Sequence, residues 1–185
     1  MSQILDIEKL PDDGRPLLGI DVDGVLNAAT NHFKPRVYDL HTVHIGRASF
    51  TVLFNKRLAG WLEKLTDHFI PVWCTMWDDE ANLYLSPLLG LPSLPFIPCG
   101  HLHIQDDLTW RGQEVHHKVK CIEPLIGKRA FAWIDDEIDM WPGTRAWADH
   151  RADEVAPTRL VRTNEREGLL GHHVSQLIDW AEGIK

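Results

Sequence analysis

The stretch Leu17-Leu18-Gly19-Ile20-Asp21-Val22-Asp23-Gly24-Val25-Leu26-Asn27 decides how the rest of the chain is read. A short apolar run stops at two carboxylates two positions apart, then come a glycine and more apolar residues. Read as a buried strand, the run delivers Asp21 and Asp23 to the rim of a sheet, where strand hydrogen bonding ends. Acids placed there call for a cation or a reaction, because an uncompensated buried carboxylate is costly. A turn with solvated acids and a calcium loop are the other readings. The calcium loop fits poorly, since an EF-hand needs a third oxygen ligand before its glycine and a distant glutamate.

Working outward, apolar strands and amphipathic stretches alternate. Residues 36–54 hold two β-prone runs around Gly46-Arg47, which predicts a hairpin. Asn55 reads as an N-cap, with Leu58, Leu62, Leu65 and Phe69 on one helical face behind it. Residues 70–75 form a second buried strand, with Pro71 near its start where a missing donor costs least. Asp78, Asp79 and Glu80 are expected to open a helix that stops before Gly90, their charges favourable at its N-terminus. Residues 91–116 are irregular; a helix near Lys118 is either kinked by Pro124 or starts after it. A strand over 130–134 runs into Asp135-Asp136, and a helix over 144–150, a strand at 160–161 and a helix through Val174, Leu177, Ile178 and Ala181 follow. This order predicts an α/β fold with a mainly parallel sheet and helices on both faces.

Composition bounds the function classes. At 185 residues, 44% hydrophobic and 25% charged, the chain reads as one soluble globular domain spanning 1–185. With 19 basic and 27 acidic residues the formal charge is −8, which argues against a broad non-specific nucleic-acid surface but not against a local basic groove. Three widely spaced cysteines suit a reducing compartment. No signal-peptide core or membrane-length apolar run is evident, and the expected location is cytoplasmic.

Two apolar strands thus end in acid pairs, Asp21/Asp23 and Asp135/Asp136. In an open α/β sheet, ligands sit beyond the carboxyl ends of the strands at the switch point. If the two strands are neighbours, three or four carboxylates converge there and require a divalent cation; hard oxygen ligands point to Mg2+. A third strand end supplies the hydroxyl of Thr75, and Lys118 is the best basic candidate between Thr75 and the second acid pair.

In this order of motifs the chain resembles the haloacid dehalogenase (HAD) superfamily of phosphohydrolases and phosphotransferases. Asp21-Val22-Asp23-Gly24-Val25 looks like the first motif, Thr75 the second, Lys118 the third and Trp133-Ile134-Asp135-Asp136-Glu137 the fourth. The likeness spans roughly residues 17–140. The segments after Thr75 and around Asp135 are similar to small, capless HAD domains of RNA-repair proteins. Val25 stands where a threonine is common, and Lys120 and Lys128 lie near Lys118. The resemblance implies a Rossmann-like three-layer sandwich and phosphomonoester hydrolysis. In it Asp21 is the nucleophile, Asp23 the general acid and base, and Thr75 and Lys118 hold the phosphoryl oxygens. Magnesium would be bound by Asp21, the backbone carbonyl of Asp23 and a fourth-motif acid from Asp135 and Asp136, with Asp136 preferred.

Other signals carry less. Cys99, His101 and His103, with His116-His117, match no common zinc spacing in a chain of eleven histidines. Of eight tryptophans, Trp61, Trp133 and Trp180 read as core, whereas Trp77 either packs or stacks on a base or sugar. Asp139 either extends the acid cluster or is solvated. Residues 28–55 are too few for a large cap, so they are expected to form a flap over an open site. Lys34, Arg36, Arg47, Arg111, Lys118 and Lys120 are candidates for a groove holding a polynucleotide end, with scattered surface charge as the alternative. The expected substrate is a nucleotide or nucleic-acid phosphate end. The alternatives are a sugar-phosphate or other small-metabolite phosphatase and a non-catalytic phosphate-binding module on the same fold.

Overall fold

The computed structural model describes residues 3–30, 33–100 and 108–184. Strand β1 (Leu17–Ile20) leads into a hairpin of β2 (Tyr38–Ile45) and β3 (Ala48–Asn55), then helix α1 (Leu58–His68) and strand β4 (Ile70–Trp73). A π-helical turn (Ala81–Leu85) runs into the short helix α2 (Ser86–Leu89), and a two-residue ladder of β5 (Thr109–Trp110) and β6 (Gln113–Glu114) precedes α3 (His117–Ile126). Then follow β7 (Phe131–Asp135), α4 (Pro142–Glu154), β8 (Thr158–Arg162) and α5 (Gly171–Gly183).

The central sheet has the order β4-β1-β7-β8 and is parallel throughout. Strands β1, β4 and β7 read as continuous apolar runs because both faces are covered, whereas the edge strand β8 keeps only Leu160 and Val161 buried. Leu18, Ile20, Ala132, Ile134 and Val161 face one side, where Leu58, Leu62 and Leu65 of α1 and Val174, Leu177 and Ala181 of α5 pack on them. Leu17, Phe131, Trp133 and Leu160 face the other, against Val119, Ile122 and Ile126 of α3 and Trp147 of α4. The chain leaves β1 toward β4 on one side and returns to β7 on the other, so the switch point lies at the carboxyl end of β1. The β4 edge is covered: Trp73 N–H donates to Pro95 O at 2.9 Å, and Ile97 N–H donates to Trp73 O at 2.8 Å.

The hairpin pairs Tyr38 with Asn55 through Ile45 with Ala48, turning at Gly46-Arg47 as expected. Val43, Val52 and Phe54 root it in the core, while Leu40 and Phe50 stay exposed. Two local expectations change. Asn55 closes β3 instead of capping α1; its side chain accepts the Arg57 N–H at 3.0 Å and the helix starts at Leu58. Asp78 and Asp79 form a turn, not a helix start, because Asp78 has φ of 44° and its carboxylate accepts the N–H groups of Cys99 and Gly100. Of the two readings at Pro124 the later start is excluded, since α3 begins at His117 and carries the proline inside it to Ile126. Trp133 is fully buried, and Trp180 stacks on Phe69 at 6.2 Å. No helix among the described residues is long and apolar enough to cross a membrane.

Leu62 is nearly fully buried in the cluster shared by α1 and α5. Leu62→Ala is expected to destabilise the protein by about 3 kcal/mol, read from urea unfolding at unchanged slope.

Candidate active site

β1 and β7 are neighbours in register, so their terminal acids emerge side by side. The Asp21 N–H still donates to Ile134 O at 3.1 Å, holding the residue at the end of the ladder. One ligand oxygen each from Asp21, Asp135 and Asp136 lie within 4.8 Å of one another. Between them stands Lys118, whose Nζ is 2.9 Å from Asp21 Oδ2 and 2.7 Å from Asp135 Oδ2. All three members of this ion triad are buried.

Lys118 reaches that point because it lies in the first turn of α3. The helix is capped by His116, whose Nδ1 accepts the Lys118 N–H at 3.1 Å. That bond puts the imidazole proton on Nε2, which faces Asp135 Oδ1 and Glu137 Oε2, each at 3.6 Å. These are contacts of charge and dipole, longer than a hydrogen bond. Asp135 Oδ1 also accepts the Glu137 N–H at 2.9 Å. Lys120, the competing lysine, turns away and donates to Thr109 O.

The electrostatics separate the acids. Burial pushes the Asp21 carboxyl up to about 7, with Lys118 opposing the rise and Asp135 adding to it. Burial and the adjacent Asp135 raise Asp136 to about 6. Burial acts on Asp135 too, but His116 and Lys118 more than reverse it and hold that carboxyl well below the usual range. For Lys118 the pull of Asp21 and Asp135 outweighs burial and keeps the ammonium charged. His117, lowered to about 4 by burial and then by His116 and Lys118, is neutral at pH 7.

The triad opens into a cleft of about 290 Å³ lined by Asp21, Asp23, Thr75, His117, Lys118 and Asp136, among others. Thr75 is buried after β4, its hydroxyl oxygen accepting the Trp77 N–H at 3.4 Å. Asp23 is exposed and apart from the three clustered carboxylates; its oxygens accept from Asn27 Nδ2 at 2.7 Å and Trp77 Nε1 at 2.8 Å. Gly24 has φ of 73°, and a Cβ there would come within 2.3 Å of Asp136 Cγ. Only glycine lets the β1 loop lie under the Asp136 carboxylate.

Asp139 stands outside the cluster, paired with Arg145 and Arg162. Of the six basic residues considered for a groove, Lys118 alone lines the cleft; Arg111 lies over Trp110 at 4.7 Å. His101 and His103 fall outside the described residues. Sequence reasoning missed His116 as the helix cap, Asn27 and Trp77 as partners of Asp23, and Glu165 in the lining. The histidine pair before Lys118 was the one available signal.

With all three carboxylates ionised, one ammonium would leave two negative charges uncompensated in a mostly buried site. This is why Asp21 and Asp136 keep their protons to higher pH in the absence of a cation. The donors are all oxygen, the class that hard divalent cations take. Residues 17–174 match the family described as the HAD domain in Swiss Army Knife RNA repair proteins. The chain belongs to that family. No curated protein matches this HAD domain. Among solved structures it is similar to the fission yeast RNA polymerase II CTD phosphatase Fcp1 bound to beryllium fluoride, at 15% identity and a TM-score of 0.44. That likeness covers 96% of this chain and 53% of the other, so the HAD domain spans about half that protein's length.

Between 3.8 and about 6, folded protein keeps a proton on Asp136 that the unfolded chain has lost. Metal-free stability contributed by this group therefore falls as pH rises through that window. With chelator present, Asp136→Asn is expected to unfold at higher urea than wild type at about pH 7.5, the difference vanishing near pH 4.

Proposed function

We propose that this HAD domain is a magnesium-dependent phosphatase that works through an aspartyl-phosphate, acting on a nucleotide or nucleic-acid phosphate end. The observation that carries the reading is the convergence of Asp21, Asp135 and Asp136 around Lys118 at the switch point. An oxygen of Asp21 attacks phosphorus as the ester P–O bond breaks, and Asp23 gives its proton to the departing oxygen. In the second step Asp23 takes a proton from the water that attacks the aspartyl-phosphate, and Asp21 is released as a carboxylate. Lys118 and Thr75 hold the non-bridging oxygens, where positioning and fixed charge do most of the catalysis.

The separate environments of the fourth-motif acids suggest separate duties. Asp135, fully buried on Lys118 and beside His116, orients the lysine. Asp136 lines the cleft over Gly24 and is the better direct ligand. Asp21, Asp136 and the backbone carbonyl of Asp23 would hold magnesium, which when bound adds positive charge against the phosphoryl group.

The family's description supports a polynucleotide end, and the open cleft with the hairpin as flap would admit one. We take residues 1–185 as one domain without a large cap; three widely spaced cysteines suit a cytoplasmic setting. A small-metabolite phosphatase is the second reading, favoured by a cleft whose described lining holds a single lysine or arginine. A phosphatase screen over nucleotides, 3′- and 5′-phosphorylated oligonucleotides and sugar phosphates, with and without magnesium, separates the two.

Wild type is expected to release phosphate from a generic aryl phosphate only with magnesium, and chelation to abolish this reversibly. Asp21→Asn should fold normally and lose turnover. More than a few per cent of wild-type activity would sink the nucleophile assignment, and an inert wild type would favour a binding module.

A further inference from the structure

Two side chains clamp the Asp23 carboxylate, and both are tied to the β2–β3 hairpin. Asn27 Nδ2 donates to Oδ1, while the amide oxygen of Asn27 accepts the Leu53 N–H of β3 at 2.8 Å. Asn27 also makes isolated backbone bridges to Asp23 and to Phe54. Trp77 Nε1 donates to Oδ2, and the Trp77 ring meets Phe50 of β3 edge-on, with centroids 5.7 Å apart and planes at 60°. Each oxygen of one carboxylate is thus held by a donor that itself rests on the same strand.

A carboxylate on an exposed loop turns freely about its terminal torsion. Proton delivery needs a carboxyl oxygen within hydrogen-bond reach of the atom that receives the proton. Donors fixed to both oxygens remove the torsional freedom and leave each oxygen one further lone pair, on a carboxylate that lines the cleft. Plain packing would explain a half-buried Trp77 by itself. It does not explain why Asn27, from a different segment, completes the same clamp while bonding the same strand.

We propose that the hairpin sets the orientation of Asp23 through Asn27 and Trp77, so that these two are positioning residues and proton transfer proceeds only when the hairpin is seated. The proposal rests on the phosphatase reading of Asp21 and Asp23. In the first step the electron pair of the breaking P–O bond stays on the leaving oxygen, which takes the Asp23 proton. In the second, Asp23 accepts a proton from water as the water oxygen bonds to phosphorus and the bond to Asp21 breaks. A good leaving group needs no proton in the first step; a poor one does.

The test compares kcat/KM, which reports steps up to leaving-group departure, for a nitrophenyl phosphate and a simple alkyl phosphate. Trp77→Phe keeps a ring against Phe50 and deletes the donor. It is expected to lower kcat/KM for the alkyl ester roughly tenfold, part of the ~10²–10⁴ that general acid–base catalysis supplies. For the nitrophenyl ester kcat/KM should hold, while kcat falls and a burst of nitrophenol marks slow second-step hydrolysis. Phe50→Ala, at an exposed position, should give the same pattern more weakly and decides the matter if Trp77→Phe does not fold. An equal loss on both esters, or no change on either, overturns the proposal alone. A wild type that hydrolyses neither ester overturns the phosphatase reading and this inference with it.

Discussion

The buried ammonium of Lys118, shared between Asp21 and Asp135, is the interaction on which the carboxyl end of the sheet depends. It joins the ends of two adjacent parallel strands and a helix from the opposite layer in one ion triad. Breaking a buried pair by removing one partner costs about 3–5 kcal/mol, because the other charge stays behind without compensation. The placement of Lys118 is in turn secured by apolar burial: Val119, Ile122 and Ile126 seat α3 on the sheet, and His116 caps it. Packing and electrostatics thus stabilise the same few atoms.

That triad also explains why neighbouring acids behave differently. Asp135 is spent on the lysine and stays ionised, whereas Asp21 and Asp136 remain short of positive charge and hold their protons to about 7 and 6. A site of this kind is electrostatically unfinished. The deficit sits on the side facing the cleft, where Gly24 leaves room and where Thr75 and His117 complete the wall.

Much of the fold was legible because three of the four sheet strands, β1, β4 and β7, are short apolar runs with abrupt ends, and because α1 and α5 carry regular apolar faces. Both acid pairs could be found by the same rule, carboxylates where a buried strand stops. What could not be read is whatever depends on partners distant in the chain. The β1–β7 pairing was an assumption until the register placed Ile20 beside Ile134. The choice of Lys118 over Lys120 turns on helix phase at the cap, which two residues of spacing leave open. Asp78 was mistaken for a helix-opening acid because its real partners, the amides of Cys99 and Gly100, lie some twenty residues on. The bond from Trp77 to Asp23 spans 54 positions and has no local signature.

The hairpin is anchored by few side chains, chiefly Tyr38, Val43, Val52 and Phe54, while the residues toward its turn are mostly exposed. The acid pairs, by contrast, stand at the ends of β1 and β7, whose residues are all buried. Burial is therefore concentrated in the sheet and at the root of the hairpin, not in its outer half. Substitutions at exposed hairpin positions such as Leu40, Thr42 and Ser49 cost the fold little, so this segment can change in sequence while the sheet and its acids stay as they are.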